Sequence, residues 1–139
     1  MNLSNVRWGA AIGGMLLVEV LMIVAAFGWV AIYSHFIAPG QPVAAYQEYA
    51  MATTPWVAFL AGVPLFYLVC RWIGSRSPAK AWHTAMALFA FYLLLDVPIV
   101  LTLPNQELSA GFLLVNWVLK GVACHLGGSH AARNVAGVT

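Results

Sequence analysis

Long apolar runs, broken by short clusters of proline, glycine and charge, organise this chain. The runs extend from about Val6 to Ile37, Pro55 to Ile73, Trp82 to Leu103 and Ala110 to Leu126. Each reaches the roughly 17 residues needed to cross the hydrocarbon core of a bilayer. A backbone in lipid must satisfy its own hydrogen bonds, which an open sheet does not do, so the runs predict four transmembrane helices. Pro64 falls inside the second and Pro98 inside the third. The breaks have recognisable chemistry. Ala38-Pro39-Gly40-Gln41-Pro42 ends the first span and Pro104-Asn105 the third. Thr54-Pro55 and Ser77-Pro78 read as a helix cap followed by proline at the first helical position, and Ser109 as a cap for the fourth span. The segment from Ala38 to Thr54 is the longest connection, and Pro42 to Met51 within it predicts a short helix lying on the outer surface, with Tyr46 and Tyr49 at headgroup level. The first run is far longer than the roughly 7–15 apolar residues of a signal peptide and reads as a retained helix. No internal repeat is visible.

Composition supports this pattern. Of the 139 residues, 63% are hydrophobic and 7% charged, against about 25% charged in soluble domains. So much apolar surface in so short a chain must face lipid, and a single integral membrane domain spanning 1–139 follows. The net charge is +2 and no Lys/Arg run is present, which argues against a nucleic acid partner. The basic residues also orient the chain. Arg7 precedes the first span, Arg71, Arg76 and Lys80 surround the connection between the second and third, and Arg133 follows the fourth. The other two connections carry Glu48 and Glu107 and no basic residue. By the positive-inside rule both termini and the 74–81 connection are cytoplasmic, and Trp8, Trp29, Tyr33, Trp56, Trp72 and Trp82 form the aromatic belts. The expectation is an all-α, polytopic membrane protein: a four-transmembrane-helix bundle, multi-pass in a bacterial-type inner membrane.

The distribution of charge inside the spans is unusual. Glu19 lies in the first span, Asp96 in the third and Lys120 in the fourth, with Asn116 one turn before it. At 1.5 Å per residue, Glu19 is about 18 Å beyond Arg7, Asp96 about 12 Å before Pro104 and Lys120 about 10 Å before Gly127. Side chains lean toward the N-terminus of their helix, which brings all three toward a similar depth. An unpaired charge at mid-membrane costs on the order of 2.5–3.5 kcal/mol, so three on separate spans predict a shared buried cluster. The expected cluster pairs Glu19 with Lys120, includes Asp96, and has Asn116 hydrogen-bonding nearby. Pro98 frees the carbonyl of Leu94 close to Asp96, which favours a polar cavity there.

No other motif points to a cofactor or metal. Cys70 and Cys124 show no CxxC spacing and read as small apolar residues. His83 and His125 lie at a depth where two haem ligands would fit, but His125 is turned well away from Lys120 around its helix. Gly9 and Gly13 form a GxxxG pair followed by Gly14, and Gly121, Gly127 and Gly128 cluster late in the fourth span, permitting close backbone approach within the chain or between chains.

Leu17-Val18-Glu19-Val20 and the four spans resemble the small multidrug resistance transporters, from which the long outer connection, Asp96 and Lys120 depart. The membrane-bound glutathione-transferase-like enzymes are also four-helix chains of similar length. Of the Glu, Arg, His and Asn of their second helix, only Arg71 has a counterpart here, and no family is assigned. Two functional readings compete: a transport or channel-like protein working through the Glu19, Asp96, Asn116 and Lys120 cluster, or a non-catalytic accessory subunit of a larger membrane complex. A membrane enzyme acting on lipid or quinone is a third reading, without a nucleophile–base pair to support it. The bilayer is the immediate partner, and the little interior of four short helices favours a homo-oligomer or a partner membrane subunit.

Overall fold

The computed structural model describes residues 6–102 and 109–136, and these are helical throughout apart from short connections. Helix α1 (Trp8–Ile32) runs on into a π-helical turn (Tyr33–Ile37), followed by α2 (Val43–Ser75), a 3-10 turn (Pro78–Lys80), α3 (Ala81–Thr102) and α4 (Ala110–Ala136). All four helices are long and apolar enough to cross a membrane. Large side chains such as Phe27, Leu60, Leu94 and Leu101 stand exposed on the outside of the bundle. In water such a surface would aggregate, whereas in lipid it needs no cover.

The second span departs from expectation. The short surface helix and the span starting at Pro55 are one continuous helix of 33 residues, about 50 Å long. Pro55 lacks the N–H that would bond the Met51 carbonyl, yet the helix passes through it. Around it the Thr53 and Thr54 hydroxyls donate back to the Tyr49 and Ala50 carbonyls at 2.8 and 2.7 Å, so Thr54 is not a cap. The first turns of α2 are held from outside: the Tyr49 ring stacks on Tyr33 with centroids 3.5 Å apart, and the Trp29 indole donates to the Tyr49 hydroxyl at 3.0 Å. The connection before α2 shrinks to a few residues. Gly40 takes φ +80 there, and the Tyr46 hydroxyl ties the turn by donating to the Ala38 carbonyl and accepting the Gln41 N–H.

The fourth span is likewise longer than its apolar run, continuing past Leu126 to Ala136. Gly127 and Gly128 are contact points, not helix ends. A Cβ on Gly127 would lie 2.5 Å from the Tyr67 carbonyl oxygen on α2, and one on Gly128 would lie 2.8 Å from Ala85 Cβ on α3. Ser109 caps α4 as predicted, accepting the Phe112 N–H at 3.2 Å. Ser77 does not cap: its hydroxyl donates to the Arg76 carbonyl and accepts from the Arg7 guanidinium. Pro104-Asn105 lies outside the described residues.

The helices form a ring in the order α1, α2, α4, α3, with α1 scarcely touching α4. The core is filled by Val18, Phe66, Val69, Leu88, Tyr92 and Cys124. Gly14 seats Ile73 and Leu88 against α1, while a Cβ on Gly9 or Gly13 would meet nothing within 4 Å among the described residues, so the GxxxG pair faces outward from them. Arg7, Arg71, Arg76, Lys80 and Arg133 mark one end of the bundle, called here the basic end.

Candidate functional site

Each helix contributes one face to an internal cavity of about 460 Å³. On α1, Glu19, Met22, Ile23 and Ala26 follow a three-to-four-residue spacing that keeps them on one side. Tyr92 and Asp96 are one turn apart on α3, as are Asn116 and Lys120 on α4. Ala58 and Pro55 of α2 complete the lower wall, and Val30 and Ala50 border the end remote from the basic residues. The walls are mostly apolar, and apart from Thr54 the polar groups, Glu19, Tyr92, Asp96, Asn116 and Lys120, gather at the end nearer the basic residues, the deep end. This combination of apolar walls and few convergent polar groups is typical of small-molecule sites.

The structure thus brings all four predicted residues, Glu19, Asp96, Asn116 and Lys120, to one cavity. The expected Glu19–Lys120 ion pair is absent among the described residues. Lys120, 1% exposed, donates to the Tyr92 hydroxyl at 2.8 Å instead. Its ammonium also lies 4.8 Å from the Tyr92 ring centroid and 5.8 Å from that of Phe66, within cation–π reach. The reason lies in the ring order. Because α1 scarcely touches α4, the lysine turns toward α2 and α3, where Gly62 leaves a hollow for its stem. A Cβ at Gly62 would come within 2.6 Å of Lys120 Cε.

Asp96 is engaged from the same helix, accepting the Trp117 indole N–H at 2.6 Å. Two cross-links one turn apart, Tyr92–Lys120 and Asp96–Trp117, therefore join α3 and α4 across the bundle. Glu19, half-buried, makes no hydrogen bond or ion pair among the described residues, and feels Asp96 and Lys120 only through the longer-range field. Asn116 is 7% exposed, and its Oδ1 is buried without a hydrogen-bond partner, contrary to its expected bonding within the cluster. A buried amide oxygen left unpaired costs about 1–3 kcal/mol. With the one ammonium turned aside, the deep end presents an excess of acceptors: two carboxyls and an orphaned amide.

Tyr92, Trp117 and Gly62 were not singled out from sequence. The four-residue step from Tyr92 to Asp96 was a usable signal. Gly62 lies in a span rich in small residues and offered none.

The basic end is separately organised. Tyr67 bridges helices, its hydroxyl lying 3.0 Å from His130 Nδ1 and accepting from Arg71 at 3.3 Å. Trp82 donates to His125 Nδ1 at 2.9 Å and meets His83 edge-on. Cys70 of α2 and Cys124 of α4, both buried and free, interact between these helices, in keeping with the common depth their spans give them. No protein family, curated protein or solved structure matches this chain.

Proposed function

We propose that the chain is a small transport protein that binds, in the four-helix cavity, a solute whose head group donates hydrogen bonds or carries positive charge. The observation that carries this reading is the acceptor-rich deep end: Glu19 and Asp96 with the unpartnered Asn116 amide, on a cavity that the buried Lys120 does not neutralise directly. An ion pair serving only to fix helix register would be closed and dry, with its partners in contact. Here the groups instead border open volume. In this reading Asn116, Glu19 and Asp96 hold the head group, while Tyr92 and Gly62 keep Lys120 in place beneath it. The clustering of Arg7, Arg71, Arg76, Lys80 and Arg133 supports a cytoplasmic basic end with both termini inside, in a bacterial-type inner membrane.

Uptake of radiolabelled octylamine into proteoliposomes tests the proposal. Saturable uptake that Glu19→Gln abolishes, without altering thermal unfolding, supports it. Uptake no faster than in protein-free vesicles contradicts it.

A second reading, assembly with a copy of the chain or with a partner subunit, is favoured by Gly9 and Gly13, whose open face on α1 invites close approach by another helix. Gly13→Leu separates the two readings: loss of an oligomer with uptake retained places association outside the transport role.

A further inference from the structure

Of the four seams in the helix ring, three are stitched beside the cavity by side-chain contacts among the described residues, and the α1–α3 seam is not. Between α1 and α2, Trp29 and Tyr33 engage Tyr49 directly beyond Val30 and Ala50, and so roof that side of the cavity. Between α2 and α4, the Phe112 ring packs on Trp56 and Phe59 at 4.9 and 5.5 Å. Between α3 and α4 run the Tyr92–Lys120 and Asp96–Trp117 hydrogen bonds. The hydrogen bond and ring contact that join α1 to α3 among the described residues, the Arg7 N–H on Thr84 Oγ1 and the Trp8 ring on Phe91, lie nearer the basic end, as does the seat of Leu88 on Gly14. Beyond Glu19 and Asp96 these two helices present Ile23, Phe27 and Ile99 to the cavity, and all three remain more than half exposed. Residues that border a cavity and the outer surface together form the edges of an opening.

The depth of this opening identifies what lies outside it. Ile23 is six residues before Trp29 on α1, which places this edge of the opening about 9 Å inside the aromatic belt. At that level a bilayer is hydrocarbon, and the edges are apolar. Resting on the transport reading above, we infer that the ligand is a membrane-dissolved amphiphile that enters sideways from lipid, between α1 and α3, in the half of the membrane remote from the basic end. Its donor head reaches Glu19, Asp96 and Asn116 while its apolar body fills the space along Met22, Ala26 and Val100. Apolar cavity walls, which an inorganic cation or a sugar would not use, fit such a body.

Two measurements test this, the first without any ligand. In a Cys70→Ala, Cys124→Ala background, a nitroxide is attached to Ala26→Cys inside the cavity, to Val24→Cys on the outer surface away from it and to Gln41→Cys in the connection. In proteoliposomes, collisions with lipid-soluble oxygen are expected to dominate at position 26, as at 24. A water-soluble nickel chelate dominating at 26, as at 41, would overturn lateral entry. The second measurement uses Ile99→Trp, which adds bulk at an exposed edge without disturbing the core. Octylamine association is expected to slow by about tenfold while equilibrium affinity holds. Unchanged association, or a loss confined to affinity, would count against the opening. If the unsubstituted protein fails to bind octylamine, the transport reading falls, and the nitroxide measurement still decides whether lipid reaches the cavity.

Discussion

The Lys120 ammonium and the Tyr92 hydroxyl lie 2.8 Å apart across α4 and α3, and both residues are 1% exposed. The cation is therefore held by a neutral hydroxyl and two ring faces, and not by the carboxylate of Glu19. Tyr92→Phe removes the one hydrogen-bond acceptor that this buried charge has among the described residues and is expected to destabilise the protein by about 1–3 kcal/mol. In double-mutant cycles read by thermal unfolding in detergent, Lys120→Met should couple strongly to Tyr92→Phe. Coupling to Glu19→Gln should be weaker. Equal coupling would restore the direct ion pair.

Gly62→Ala places a methyl group 2.6 Å from Lys120 Cε. The stem is pinned at its far end by Tyr92, so it cannot swing away freely, and overpacking of this kind costs about 1–3 kcal/mol. Calorimetry should show that loss in the otherwise unaltered protein and little of it when Lys120→Ala is also present.

Asn116→Leu tests the orphaned amide from the opposite direction. Removing an unpaired buried acceptor should raise stability by about 1 kcal/mol, while octylamine binding weakens. A variant that is destabilised and binds normally would show that Asn116 serves packing and not a ligand.

The free, buried thiols of Cys70 and Cys124 report on the seam between α2 and α4. Diamide, which accepts the two thiol hydrogens as the disulfide forms, should reduce the titratable thiols of the denatured protein from two to none without producing dimers. Retention of both thiols would mean that α2 and α4 are not in this register.

Much of the fold was legible in sequence because the solvent is lipid. Uninterrupted apolar runs and Ser109 each act locally, and each fixes a span or its end without knowledge of its neighbours. Pro55 was misleading for the same reason. Proline before an apolar run reads as a helix start, and only the packing of Tyr49 on Tyr33 and Trp29 reveals that the helix was already under way. At the site, the rarity of charge in the spans pointed to Glu19, Asp96 and Lys120. Their pairing was not legible, since it depends on ring order, which leaves α1 away from α4 and hands Lys120 to Tyr92. Trp117 and Gly62 matter only through neighbours on other helices, which a single chain's spacing does not encode.

The central claim is that the acceptors at the deep end of the cavity bind a donor head group. Equilibrium binding of octylamine and of octanol to the purified protein tests it most directly, since the two share an alkyl chain and differ in the head. The account predicts saturable octylamine binding at one site per chain, lost in Glu19→Gln and in Asn116→Leu, with octanol binding far more weakly. Equal binding of the two, or octylamine binding that survives both substitutions, would contradict it.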